Sequence, residues 1–372
     1  MLKIVEYINE HGLAKALSVF RLKTRVYEHK ILIKYDQLAS PMGEREVQEC
    51  RGLILERNTW KVMSLPFYKF FNSAEGHAAT IDWDTAHILE KLDGTMIHTY
   101  YDWHKDTWFA ATSGTGEGEG EVNNKLGTTF NELFWKTVKD KYDLTPSELV
   151  KDYVYVFELT TPYNIVVKPH GESSATLLTV RDRTNLQEFD YNSLQNLAIG
   201  LGVPLVMSYD LNSGNVGRLI RTFENMVWHD EGYVVVDGNF NRIKVKNPAY
   251  VAVHHLKSKT SEHAIMSVVK TNEIDEFAAT FPEREEEVRS LTANYLILVK
   301  KLEDVWDILK EHKPKNITKG EQKKFAMKVF EVCEAHGVKQ FNGLYFALKD
   351  AKVDSVQDFM FNYDDKTLYK ML

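Results

Sequence analysis

Lys91 stands in "EKLDGT" (residues 90–95), beside the pair Asp93-Gly94 and between two apolar runs. Two readings are open at this point. Asp-Gly between alternating hydrophobics is a strong hairpin signal, because both turn positions tolerate positive φ; Lys91 is then a solvated lysine at a turn. The other reading makes it a nucleophile. Further along, "YVYVFELTTP" places Glu158 in an otherwise apolar, aromatic strand, on the side of Val154 and Val156. A carboxylate there is costly unless it is paired, hydrogen-bonded or metal-bound. "HDEGYVVVDGNFNRIKVK" (229–246) supplies Glu231 just before one strand, and Lys244 and Lys246 on one face of the next. Like charges repel, so that face favours an anion between them; an edge strand with its lysines in water is the plainer account of this stretch alone. With Arg51 and Lys69 upstream, the set composes one reaction. A lysine nucleophile must lose its proton, which desolvation and neighbouring cations favour. The same cations, with a divalent metal, neutralise a triphosphate and its departing pyrophosphate. Glu231 is a hard oxygen donor suited to Mg2+. The chemistry is attack of Lys91 on a nucleotide α-phosphate.

Such residues need a scaffold of strands. From about residue 50 to 250 the chain is rich in short β-type runs, among them "RGLILER", "AHILEKL", "MIHTYYD", "TWFAATS", "NIVVKP", "ATLLTVRD" and "NRIKVK". Helical stretches intervene at 127–142 and 191–201. The expectation is an α+β fold with largely antiparallel strands. Beyond about residue 256 apolar residues recur every three or four positions, and Pro314 separates two long helices. We therefore expect two domains, 1–255 and an all-helical 256–372. The glycine-rich "SGTGEGEGE" (113–121) lacks the Gly-Lys-Ser/Thr ending of a Walker loop and carries glutamates that repel phosphate, so it reads as a flexible connection. Arg21, Lys23, Arg25, Lys30 and Lys34 lie close in sequence, as either a solvated face or a local basic patch.

"EKLDGT" resembles the Lys-x-Asp-Gly motif of covalent nucleotidyltransferases, the superfamily of DNA ligases, RNA ligases and capping enzymes. "FELTTPYN", "EGYVVV" and "IKVK" follow in that superfamily's order. "ECRGLILE" (49–56) and "FYKFFN" (67–72) narrow the likeness to the phage-type RNA ligase 1 family of ATP-dependent RNA ligases, and "IKYDQLAS", "LLTVRDRTN" and "KVKNPAYVAVHHLKSK" continue it. The resemblance implies a nucleotidyltransferase (ATP-grasp-like ligase) domain followed by helices. It implies that Lys91 becomes linked to AMP. Arg51 and Lys69 contact ATP phosphates, Tyr35 borders the nucleotide, and Glu90 and Gly94 shape the pocket. Glu158 reads the ribose hydroxyls, Glu231 supports Mg2+ (or Mn2+), and Lys244 and Lys246 contact the α-phosphate. The implied partner is RNA with 5′-phosphate and 3′-hydroxyl ends, single-stranded or a broken tRNA anticodon loop, with the helical domain reading the RNA. Two departures, Ser113 and Ile165, each stand where the family often carries a positive charge. The rivals are a DNA ligase or capping-type enzyme, which usually adds a small β-barrel, and an inactive RNA-binding relative.

Composition limits the alternatives. The 372 residues carry a net charge of -7, which excludes a uniformly basic nucleic-acid coat, so any polyanion must bind a local patch. Cys50 and Cys333 form no metal spacing and read as buried, reduced thiols. His254-His255 is a weak metal signal. No apolar run is long enough to span a bilayer, and the N-terminus is too charged for a signal peptide. We expect a monomer in the cytoplasm, in the host if phage-encoded, with no membrane partner.

Overall fold

The computed structural model describes residues 1–122, 127–163, 168, 170–211, 214–226, 230–251, 265–314 and 318–372. His254-His255, Ile165 and most of "NIVVKP" lie outside the described residues. Backbone contacts divide the chain into Met1–Lys257 and Ser258–Leu372.

The first unit holds three sheets. The first is an antiparallel meander of β1 (Leu22–Val26), β2 (Lys30–Tyr35), β3 (Arg51–Glu56) and β4 (Val62–Ser64). Its β2 and β3 are apolar on both sides because both sides are covered. Ile31, Ile33, Leu53 and Leu55 pack on helices Lys3–His11 and Leu13–Phe20, while Leu32 and Ile54 face the second sheet. Continuous burial, not alternation, is the pattern such strands require.

The second sheet is antiparallel. It contains β7 (Thr95–Asp102), β8 (Thr107–Ala111), β9 (Tyr153–Thr160) and β10 (Ser174–Asp182), in the order β10-β9-β7-β8. Tyr155, Phe157 and Leu159 of β9 bury against helices Phe130–Tyr142 and Tyr191–Leu201. Val154 and Val156 point the other way, into the contact with Leu32, Ile54 and Met63. Each helix starts at a side-chain cap: Thr129 and Glu132 form a capping box, and Asp190 accepts the Ser193 N–H.

The third sheet runs β11-β6-β12-β13-β5, from β5 (Phe71–Asn72), β6 (His87–Glu90), β11 (Ser208–Tyr209), β12 (Gly232–Val236) and β13 (Arg242–Lys246). Only the β5–β13 pair is parallel among the described strands of this sheet. The β12–β13 hairpin turns at Asp237, whose carboxylate accepts N–H bonds from Asn239 and Asn241.

One expectation fails here, and an alternative left open by the sequence is narrowed. The segment 113–121 is no flexible connection. Glu119 accepts from Arg25 and from the Tyr27 hydroxyl, Glu117 pairs with Lys30 and Lys105, and the Gly116 carbonyl accepts from Tyr100. A Cβ on Gly118 would lie 2.0 Å from the Ala110 carbonyl oxygen, so the glycines permit close passage rather than motion. The same contacts pair three of the five cations near the start of the chain. Lys30 is buried between Asp102 (2.6 Å) and Glu117 (2.9 Å), Arg25 meets Glu119, and Lys23 meets Asp36 at 3.0 Å. Of these, Lys30 fastens β2 of the first sheet to Asp102 of β7 in the second.

In the second unit every described element is helical, the longest being Glu285–Lys310 and Lys319–Ala335. Both cysteines are buried and free. Among the described residues no helix is long and apolar enough to cross a membrane.

Candidate active site

Lys91 leaves the end of β6 with its backbone N–H donated to the Gly232 carbonyl at 2.9 Å, which ties it to the start of β12. Gly232 has φ +127°, and a Cβ there would lie 2.3 Å from the Val245 carbonyl oxygen. Only glycine serves at that position. The preceding residue, Glu231, is buried and holds the Lys91 ammonium at 2.5 Å; Lys246 Nζ lies 4.0 Å from the same oxygen.

Asp93-Gly94 does not turn a hairpin. Strands β6 and β7 belong to different sheets, and residues 91–94 cross from the third sheet to the second. The Asp93 carboxylate is buried and accepts the Lys168 N–H, while its carbonyl bonds the His170 ring at 2.8 Å. A Cβ on Gly94 would sit 2.6 Å from the Leu159 carbonyl oxygen and 3.1 Å from Glu158 Cγ. The pair is thus a tight crossing that lays the chain against β9. Its residue types suit a hairpin equally well, because both need a local acceptor and a missing side chain.

The crossing forms one wall of a cavity of about 390 Å³. All three sheets contribute to it: Arg51, Phe67 and Phe70 from β3 and the segment after β4, Met96, Glu158 and Leu178 from the second sheet, and Leu89, Val234, Arg242 and Lys244 from the third. Phe67, Leu89, Leu178, Val206 and Val234 supply apolar surface; Arg51, Lys91 and Lys244 supply positive charge. Arg51 lies 5.0 Å over the Phe70 ring, and its buried Nη1 has no hydrogen-bond partner among the described residues. A buried unpaired guanidinium nitrogen is costly, so the site is built for an anion. Burial, and then the cations Lys69, Lys246, Lys91 and Arg51, hold Lys244 well below the usual lysine range.

Glu158 continues the inward face of β9 after Val154 and Val156, which brings it out of the apolar contact and into this cavity. Burial pushes its carboxyl up to about 8, against the pull of Lys91. Burial also raises Glu90, against the pull of Lys168. Glu90 and Lys91 separate the main cavity from a second concavity of about 60 Å³, which Glu231, Asp230 and Lys168 also line.

Of the residues picked from sequence, Arg51, Glu90, Lys91, Gly94, Glu158 and Lys244 line the main cavity. Lys69 and Lys246 are not among its lining residues but act on the charge of Lys244, and Glu231 lines the smaller concavity. Tyr35 does not border the cavity. It is part of the apolar cluster between the first sheet and its helices, with the Lys69 ammonium 5.4 Å above its ring. Ser113 does reach the wall, where its Cα lies 2.8 Å from a Cβ built on Gly52. Sequence reasoning missed Phe67, Phe70 and Arg242. Signals existed: "FYKFFN" surrounds Lys69 with aromatics, and alternation in "RIKVK" puts Arg242 on the face of Lys244 and Lys246. Among the described residues no three His, Cys, Asp or Glu side chains are grouped to hold a metal.

Three largely antiparallel sheets with flanking helices form an α+β architecture around a cationic cavity with a lysine at its wall. Residues 49–250 match the family described as RNA ligase, and the chain belongs to that family. An RNA ligase of Rhodothermus phage RM378 is 26% identical over 345 residues, covering 76% of this chain and 78% of its own. A protein of Autographa californica nuclear polyhedrosis virus, named a bifunctional polynucleotide kinase/RNA ligase, is 27% identical over 303 residues, covering 76% of this chain but 42% of its own. The structure titled archaeal ATP-dependent RNA ligase, form 1, aligns over 92% of this chain and 81% of its own, at 11% identity and a TM-score of 0.45.

Proposed function

We propose that the protein joins RNA ends with ATP through a lysyl-AMP intermediate on Lys91. The observation that carries the reading is Lys91 on the wall of a cavity that Arg51, Arg242 and Lys244 also line, with a buried Arg51 nitrogen that has no hydrogen-bond partner among the described residues. A triphosphate supplies the missing acceptors. The volume of about 390 Å³ suits a nucleotide-sized ligand, with apolar surface for a base beside cations for phosphates.

The reaction begins with Lys91 Nζ forming a bond to the α-phosphorus as the bond to pyrophosphate breaks. Glu231, at 2.5 Å, is the group placed to take the lysine proton. Lys244 and Arg51 stabilise charge on the transferring and departing phosphates. Glu158, neutral below about pH 8, can donate to a ribose hydroxyl as well as accept from one. The 5′-phosphate of an RNA end then displaces Lys91 from the adenylate. Finally a 3′-hydroxyl attacks that activated phosphate, and AMP leaves.

Mg2+ or Mn2+ fits this donor set only with phosphate oxygens as additional ligands, since Glu231 offers one hard oxygen beside the nucleophile and no protein-only cage exists among the described residues. Bound there, the ion supplies charge neutralisation at the phosphates. We assign RNA recognition, including that of a broken anticodon loop, to the unit Ser258–Leu372, and take the protein as a cytoplasmic monomer.

The test is incubation with a divalent metal and α-labelled ATP or GTP, without nucleic acid. Acid-labile label on the wild type from ATP, and none on Lys91→Ala, is expected. Label retained in Lys91→Ala overturns the mechanism. Sealing of single-stranded RNA rather than nicked DNA separates RNA joining from the DNA ligase reading, and preference for GTP supports capping instead.

A further inference from the structure

A buried charge cluster that the reaction above does not use begins at the cavity wall with Arg242. Glu188, in the segment between β10 and the helix Tyr191–Leu201, is bound by two arginines. Arg242 donates from Nη1 to Oε1 at 3.0 Å and from Nη2 to Oε2 at 2.5 Å; Arg181 donates from Nη2 to Oε1 at 2.5 Å. Thr179 Oγ1 adds a bond at 3.2 Å. The side chains of Arg181, Glu188 and Arg242 are 3%, 2% and 10% exposed. Burial alone raises the Glu188 carboxyl, and the two guanidiniums more than offset this, holding it below the usual range.

The cluster touches all three sheets. Arg181 lies on β10 of the second sheet, and Arg242 on β13 of the third, two residues before Lys244 on the same face. Arg181 Nε also donates to the Pro66 carbonyl at 3.3 Å, in the segment that leaves the first sheet and carries Phe67, Lys69 and Phe70. The Arg242 guanidinium lies 4.9 Å over the Phe67 ring. One carboxylate therefore connects the Lys244 side of the cavity to its Phe67 and Phe70 side. A buried ion cluster is poor evidence of stability, because apolar residues of similar volume often serve as well or better. It does impose direction: a guanidinium fork accepts a carboxylate in one plane, which fixes the strands that bear it.

We propose that Glu188, with Arg181 and Arg242, is a positioning device that sets the spacing between the Lys244 wall and the Phe67–Phe70 wall of the nucleotide cavity. The inference rests on the ATP reading above. Arg242→Met keeps an unbranched chain against Phe67, leaves Glu188 paired with Arg181, and removes the fork. Arg242→Lys keeps the charge but not the fork. Lys30→Met, which removes an equally buried cation that does not line the cavity, is the control for lost stability.

The experiment measures α-labelled ATP transfer to the protein against ATP concentration, at a temperature where circular dichroism shows each variant folded. Arg242→Met should raise the half-saturating ATP concentration at least five-fold, Arg242→Lys should not restore it, and Lys30→Met should leave it within two-fold of wild type. A shift in Arg242→Met no larger than that in Lys30→Met overturns the positioning role. So does full recovery in Arg242→Lys, which would leave only a charge effect. If Arg242→Met does not fold, Arg242→Lys is judged alone: a five-fold rise supports the role and wild-type affinity overturns it. Absence of label on the wild type itself overturns the ATP reading instead, so the two failures are distinct.

Discussion

Replacing Glu158 by glutamine should remove one loss of stability that accompanies rising pH. The carboxyl rises from its ordinary 4.5 to about 8 because burial disfavours its charged form, with Lys91 pulling down and Glu231 pushing up. The folded state thus holds a proton on Glu158 between about pH 4.5 and 8 that the unfolded state has released. Where the native state binds more protons, stability falls as pH rises. The contribution of Glu158 is complete below about 4.5, declines through neutrality and is gone above about 8. At 1.36 kcal/mol per pH unit the full rise corresponds to about 5 kcal/mol, and solvent reaching the carboxyl through the cavity reduces this to about 2 to 4 kcal/mol. Lys244 acts in the opposite direction. Its depressed value means the unfolded state binds more protons, so its cost to stability diminishes as pH rises toward the ordinary lysine range. Wild-type stability alone therefore mixes two opposed slopes, and the difference between variant and wild type isolates Glu158. Glutamine matches the shape of the neutral acid and does not titrate. Urea unfolding of the nucleotide-free protein at intervals from pH 5 to 9 is the assay. Glu158→Gln should gain about 2 to 4 kcal/mol on wild type between the two ends of that range. Parallel curves would refute the claim that Glu158 is held protonated at neutral pH.

Other consequences follow from packing. Gly94→Ala should abolish lysyl-AMP formation while leaving far-ultraviolet circular dichroism near wild type. The new methyl group would meet the Leu159 backbone at 2.6 Å and force the Lys91 crossing off β9; normal labelling would show that this close approach is dispensable. Gly232→Ala should destabilise the protein by about 2 kcal/mol or more and lower its urea midpoint, since φ +127° and the Val245 carbonyl both oppose a side chain. Lys30→Met should cost about 3 to 5 kcal/mol in urea unfolding by leaving Asp102 and Glu117 without their shared buried cation. Limited proteolysis of that variant should cut first within 113–121, because Glu117 is one of the side chains anchoring the segment; unchanged resistance there would count against the anchoring.

The parts of the site legible in sequence were those in which one residue has one plausible environment. Glu158 could be read because an acid among valines and aromatics on a strand is costly without a purpose, and the alternation of β9 does carry it from the Val154–Val156 contact into the cavity. Lys244 was legible for a similar reason: Ile243 and Val245 fix which face it shares. Charge on exposed-looking stretches was not legible. Lys30 and Arg25 look like a basic patch until their acceptors, Glu117 and Glu119, arrive from a segment far along the chain, and those same glutamates make "SGTGEGEGE" look like a loose linker. Each half of the pairing suggests solvent when read by itself. The Asp93-Gly94 hairpin failed on the same ground, because local pattern fixes a residue's conformation and face but not the sheet that will lie opposite.

That distinction also explains why Arg242 escaped notice. The strand "RIKVK" presents three cations to one side, and from sequence all three invite the same anion. In the folded chain they divide. Lys244 is left on the cavity wall with Lys69, Lys246, Lys91 and Arg51 acting on it and its charge disfavoured, whereas Arg242 meets the buried carboxylate of Glu188 at its two guanidinium nitrogens. The difference in head group fits the difference in surroundings. An ammonium is a point charge whose proton can be displaced by burial and like charges, while a guanidinium stays charged and satisfies a planar carboxylate at two points. A strand of identical lysines could not both fasten itself to the next sheet and hold a cation at reduced proton affinity. The order arginine, lysine, lysine at alternate positions of β13 places the fastening group and a cavity-lining cation on one short segment, so the strand that presents Lys244 is held in place by its own neighbour.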